Sequence, residues 1–167
     1  KGHDRFRLGY SNYLPDLDYR LSKVVRAGNF LFLQGQTGLA LDGSGLVGRG
    51  DPAVQADEAM KNVKTLLEES GSRMEDICKV TVYVTNMVGR AAIYPVLGRH
   101  LRGVNPVSTG IVLEALANPE LDFEIDVFEM IGEAGDGPDG SGAGISHMMP
   151  TTIHNWDVGD LDDNGYI

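Results

Sequence analysis

A single cysteine, Cys78, stands among the 167 residues. It excludes an intramolecular disulfide and fits a reducing compartment, so cytoplasm is the expected location. With no histidine beside it, Cys78 is expected to be a small buried residue rather than a nucleophile. No apolar run approaches the roughly 20 residues that cross a bilayer. The polar, basic stretch 1–9 lacks the apolar segment of a secretory leader. Positive charge is scarce: 14 Lys and Arg face 24 Asp and Glu, a net charge of −10. Without a basic stripe the chain is not expected to bind nucleic acid, because phosphate neutralisation supplies most of that affinity. The glycines of 42–50 are not followed by the Gly-Lys-Ser/Thr of a phosphate loop, and no serine sits in a nucleophile elbow. Neither a cofactor, a metal nor a membrane is expected as a partner.

The negative charge is unevenly spread. Residues 133–167 hold seven acids and no Lys or Arg, and without those seven the net charge is −3. This stretch opens with GEAGDGPDGSGAG, a linker composition. His147 and His154 lie within it, seven apart and without a scaffold to fix them as metal ligands. The expected division is an N-terminal extension over 1–18, one domain over 19–132, and a Gly-rich acidic tail over 133–167.

Within the domain, 24–36 reads as two strands joined by a turn at Ala27-Gly28-Asn29. Asp51, Pro52 and Gly71 supply the cap, first position and stop of a helix. Ala56, Ala59, Met60, Val63, Leu66 and Leu67 form its apolar stripe, and Asp57 stands four residues before Lys61 on the outside. The β-branched run 77–84 is a strand. A second, shorter helix is expected over 89–101, with Pro95 as a defect that would fit a start near Tyr94. At its end His100 would complement the helix dipole. Strands over 107–113 and 121–130 complete the order ββ–α–β–α–ββ. Two helices and five or six strands make a two-layer α+β sandwich, with both helices on one sheet face. In the last strand Phe123, Ile125 and Val127 point toward that layer. Glu124, Asp126 and Phe128 point the other way, a mixture suited to a subunit interface.

Several segments taken together resemble the Rid (reactive intermediate/imine deaminase) family. They are Leu21-Ser22-Lys23-Val24-Val25 with Ala27-Gly28-Asn29, then Gly35-Gln36, the helix ending LLEESG, the strand 79–87, the segment 106–109, and Phe123-Glu124-Ile125-Asp126. The resemblance implies a chorismate-mutase-like fold with a mixed sheet, a homotrimer with clefts between subunits, and a small-molecule substrate. It further implies water attack on reactive enamines and imines such as 2-aminoacrylate, with release of ammonia. In such proteins an arginine after a Pro-Ala pair grips the substrate carboxylate. Ser108 stands at that position here, and no neutral side chain reproduces a bidentate guanidinium contact. Leu21 stands where a tyrosine usually opens its segment.

Glu124, Gly35 and Gln36 match the family pattern, with Glu124 the candidate to orient or deprotonate water. Tyr19, two residues before Leu21 and so on the same strand side about 7 Å away, is a candidate to supply a phenol. Ser108, Gly110, Val112 and Glu114 share a face by the same alternation, which adds Glu114 to the candidate substrate-binding set of Ser108, Leu21, Gly35 and Gln36. Arg20, Arg99 and Arg102 are the nearest replacement cations in sequence, although each also reads as surface charge. Two functions follow: a Rid-like hydrolase with an altered C=N substrate, or a non-catalytic trimer that binds a metabolite. Ribonuclease activity sits poorly with the acidic balance.

Overall fold

The computed structural model describes residues 2–10 and 20–131. The candidate Tyr19 and the acidic stretch 133–167 lie outside the described residues.

The longest helix, α1 (Pro52–Glu69), begins as its sequence dictates: Asp51 accepts hydrogen bonds from the backbone N–H groups of Ala53 and Val54, and Pro52 occupies the first turn. Gly71 follows the end with φ +80°, a conformation that only glycine adopts without strain. All six predicted stripe residues, Ala56, Ala59, Met60, Val63, Leu66 and Leu67, are fully buried. Lys61 pairs with Asp57 at 2.8 Å on the outer side.

The second helix, α2 (Met87–His100), starts earlier than Pro95 suggested. Asn86 caps it by accepting from the N–H of Gly89 at 2.6 Å, and Pro95 stays inside. Pro95 has no N–H to donate, so the cost is one intrahelical hydrogen bond. Ile93, Val96 and Leu97 bury the face toward the sheet and α1. His100 contacts Asp57 at 2.7 Å, so its ring ties the two helices together.

Among the described residues seven strands form one sheet, not five or six. They are β1 (Asp4–Tyr10), β2 (Arg20–Ala27), β3 (Phe30–Leu33), β4 (Gln36–Thr37), β5 (Ile77–Val84), β6 (Val107–Val112) and β7 (Phe123–Met130). The order is β1-β2-β3-β7-β5-β6, with β4 paired to β7 beside β3. β5 and β6 run parallel across the α2 connection, while the other pairs are antiparallel, so the sheet is mixed. The two additional strands are the two-residue β4 and β1, which arises in the stretch read as an extension and zips onto β2.

Alternation sets the two faces. Val24, Leu31, Val80, Val82, Phe123, Ile125 and Val127 are buried against the helices. Glu124 and Asp126 on β7 lie in register with Tyr83 and Thr81 on the opposite, uncovered face. Phe30, Phe32 and Phe128 are exposed there, with the Phe32 and Phe128 rings edge to face at 5.9 Å. Cys78 corrects an expectation: it is exposed, not buried. The β5–β7 register slips between Ile77 and Lys79, leaving Cys78 as the extra residue turned out of the ladder.

Candidate active site

The strands part company on one side of β2. Pairing of β2 to β3 ends with the N–H of Gln34 donating to the carbonyl of Lys23 at 2.9 Å. The chain then leaves β2 to form β4 against β7. A cleft of about 500 Å³ opens between the start of β2 and β4, lined among others by Arg7, Leu21, Lys23, Gly35, Thr37 and Glu124. Its roof is the loop after β4, held in place from α1: the amide nitrogen of Asn62 donates to the carbonyls of Thr37 (3.3 Å) and Leu39 (2.8 Å). Gln55, also buried on α1, clamps the far end by donating to the carbonyl of Glu120 and accepting from the N–H of Asp122.

Glu124 is half-buried on this cleft. Gly35 passes directly over its carboxyl: a β-carbon at residue 35 would overlap Oε1 and lie 2.9 Å from Cδ of Glu124 and 3.1 Å from Oδ1 of Asp126. Glycine here is a matter of space, since its φ is not in the left-handed region. Loss of water around Glu124, reinforced by the negative charge of Asp126, raises its pKa above the ordinary glutamate value. Asp126 in turn accepts the hydroxyl proton of Tyr83 at 2.8 Å, and this hydrogen bond, aided by burial, raises the tyrosine pKa. Gln36 is buried, with its side-chain amide donating to the carbonyl of Gln34 at 2.6 Å. The side-chain carbonyl of Gln34 is itself buried with no hydrogen-bond partner.

Leu21, Gly35, Gln36 and Glu124, all proposed from sequence, therefore meet in one cleft. Ser108 does not join them within a chain. On β6 it is in register with Val80, and Gly110 with Val82, which puts both on the helix side of the sheet. Gly110 backs onto the hydroxyl of Tyr94 on α2. Glu124 faces the other way, so Ser108 and Glu124 of one chain point to opposite sides. β6 ends at Val112, so the alternation does not carry on to Glu114, which is exposed beyond the strand. Of the candidate replacement cations, Arg99 and Arg102 are exposed at the end of α2 and away from the cleft lining; Arg20 opens β2 opposite Tyr10.

Among the described residues two cations line the cleft, and neither was singled out from sequence. Lys23 was legible, because it lies two residues beyond Leu21 on the same strand side. Its removal from water, with the positive charge of Arg7 close by, lowers its pKa. Arg7 was hidden in a stretch read as an extension. Its guanidinium forks onto the Glu69 carboxylate at the end of α1, with Nε to Oε2 at 2.6 Å. A third cation was missed on the other sheet face: Arg90 lies over the Tyr94 ring, 4.8 Å from its centre, beside Gly110. Among the described residues no cluster of three or more metal-ligating side chains occurs, and no helix is long and apolar enough to cross a membrane.

This geometry agrees with what the chain is similar to. The family model described as Endoribonuclease L-PSP matches residues 15–131. A RutC family protein of Pyrococcus horikoshii is 31% identical over 96 residues, covering 57% of this chain and 75% of that protein. The 2-iminobutanoate/2-iminopropanoate deaminase of Dermatophagoides farinae is 31% identical over 104 residues, covering 62% of this chain and 80% of that protein. In fold, a YjgF/YER057c/UK114 family member from Mycobacterium tuberculosis superposes with a TM-score of 0.64 at 22% identity, over 78% of this chain and all of that one. A sandwich of two helices on a mixed sheet, with Gly35 closed over Glu124 and the matched segments running the length of the domain, is accounted for in one way: the chain belongs to the YjgF/Rid family.

Proposed function

We propose that the cleft hydrolyses a small enamine, imine or related C=N compound by water attack, with a substrate preference altered because Ser108 replaces the arginine expected on β6. The observation that carries this reading is the carboxyl of Glu124, half-buried on the cleft under Gly35 and shifted toward its neutral form. In the reaction, an enamine first takes a proton at its β-carbon and gives up one from nitrogen to become the imine. Water oxygen then bonds to the imine carbon and the C=N π pair moves to nitrogen. Collapse of the resulting amino alcohol forms C=O and expels ammonia. The carboxyl suits both proton movements: it takes a proton from the attacking water and returns one to the departing nitrogen. One relative is named for this activity on 2-iminobutanoate and 2-iminopropanoate.

Ser108 supplies only a hydroxyl, exposed on the face opposite Glu124. It meets a cleft only where a second copy brings its β6 edge to one. The exposed β6 strand and the aromatic group Phe30, Phe32 and Phe128 favour such self-association. We read the assembly as the trimer that the family resemblance implies, and light scattering on the purified chain checks it.

Ammonia release from freshly generated 2-aminoacrylate tests the chemistry. Catalysed release that saturates only at high substrate concentration supports the reading. A rate equal to spontaneous hydrolysis contradicts it, and saturable ligand binding without turnover would instead identify a metabolite-binding protein.

A further inference from the structure

We propose that the cleft holds a small carboxylate by its anionic end at the β1–β2 wall, on Lys23 with Arg7 beside it, rather than from β6. This rests on reading the cleft as a small-molecule site.

No Lys or Arg occurs between Gly103 and Ile131, so β6 and β7 bring no positive charge of their own. The opposite wall does. The β1–β2 register runs through Phe6↔Val24 and Leu8↔Ser22, which sets Arg7 across from Lys23. Like charges directly opposite one another in a sheet are destabilising. The chain accepts a second oddity at the same place: Arg7 has φ +44°, a left-handed conformation uncommon for any residue but glycine. Such backbone outliers cluster where a side chain has a task. Glu69 fixes the guanidinium through Nε and Nη2 and leaves Nη1 outside that fork. Lys23 is half-buried on the cleft that Glu124 also lines.

The charges also select the ligand. Glu69 pairs with Arg7 and the carboxylate of Asp42 also lines the cleft, so among the described lining residues the positive charge is small and gathers at Lys23. So little positive charge, with Asp42 and Glu124 in the same lining, favours a monoanion over a dianion. A cleft of about 500 Å³ holds a molecule of a few carbon atoms with room for water. The anionic end then lies against Lys23 and the reacting end toward Glu124. Lysine is a point charge on a flexible stem, so it tolerates a wider range of carboxylate orientations than an arginine fork.

Calorimetric titration of the full chain at about pH 8, where inorganic phosphate is mostly the dianion, tests this, with 2-oxobutanoate as the carboxylate, butanone as its uncharged counterpart and phosphate as the dianion. Saturable binding of 2-oxobutanoate is expected, with neither butanone nor phosphate binding comparably. Lys23→Met should weaken 2-oxobutanoate at least about tenfold, the usual worth of a charge-assisted contact. Lys23→Arg, which keeps the charge and guards against a folding defect, should restore most of it. Arg7→Met should weaken it by a smaller factor. Equal binding of butanone, phosphate binding as tight as 2-oxobutanoate, wild-type affinity in Lys23→Met, or no saturable binding of 2-oxobutanoate each overturns the proposal. Since no turnover is read, binding through Lys23 in a protein that releases no ammonia sinks the hydrolase reading and leaves this one standing.

Discussion

Gly35 lies so close over Glu124 that a β-carbon at residue 35 would stand 2.9 Å from the carboxyl carbon of Glu124. The obstructing atoms are the end of a flexible side chain, so the fold can yield by moving that carboxyl. Gly35→Ala is therefore expected to cost no more than about 1–2 kcal/mol in stability, yet to displace the group on which the proposed chemistry depends. Turnover should fall at least tenfold while the thermal midpoint drops only a few degrees. Full activity in this variant contradicts the placement of Glu124.

Opposite shifts at the two ends of the cleft narrow its working pH range. Glu124 ionises above the reference value of 4.5, and Lys23 loses its proton below the reference value of 10.5. If Glu124 takes a proton from water, kcat/KM rises as pH climbs through its raised pKa. Anion binding then fails as pH climbs through the lowered pKa of Lys23. The expected profile is a bell lying inside those two reference values, and Lys23→Arg should move only its alkaline limb upward. An alkaline limb unchanged in Lys23→Arg contradicts the assignment.

Glu129 gives a separate prediction about stability. It is buried on the helix side of β7, and neither carboxyl oxygen has a hydrogen-bond partner. Burial, with Asp76 nearby, pushes its pKa up to about 8 from 4.5. Below pH 4.5 the group is neutral in both folded and unfolded chains and costs no ionisation energy. Between 4.5 and about 8 the unfolded chain ionises while the folded one does not, so stability falls across that window. Glu129→Gln should remove the decline, with a gain on the order of 2 kcal/mol at pH 8 and little at pH 4. Urea midpoints at the two pH values measure it; the same pH slope in both proteins contradicts it.

Much of this fold was legible because one period governs each element. The stripe of α1 is continuous and its ends are marked by Asp51, Pro52 and Gly71, so capping and burial agree. Glu124 and Leu21 were legible from the family resemblance, and for Glu124 the alternation of the last strand added which face it takes. What escaped detection breaks a local pattern. β1 is the exception: Phe6, Leu8 and Tyr10 alternate with Arg5, Arg7 and Gly9, a strand pattern passed over because the short basic run was assigned to the extension. Pro95 argued for a late helix start, but the Asn86 cap and the buried face of Ile93, Val96 and Leu97 outweigh one missing hydrogen bond. Cys78 followed the alternation on paper and left it at a register slip. Glu129 continues the buried side of β7 after Phe123, Ile125 and Val127, a position where alternation predicts an apolar residue. Asn62 and Gln55 interrupt the buried stripe of α1, and those interruptions were the sequence signal for the loops they hold.

The most direct measurement is ammonia release from freshly generated 2-aminoacrylate by the full chain and by Glu124→Gln, at equal concentrations and with folding checked by circular dichroism. The account predicts release faster than spontaneous hydrolysis in the unaltered chain, saturating only at high substrate concentration, and a return to the spontaneous rate in Glu124→Gln. Spontaneous rates in both proteins, or equal acceleration in both, would contradict it.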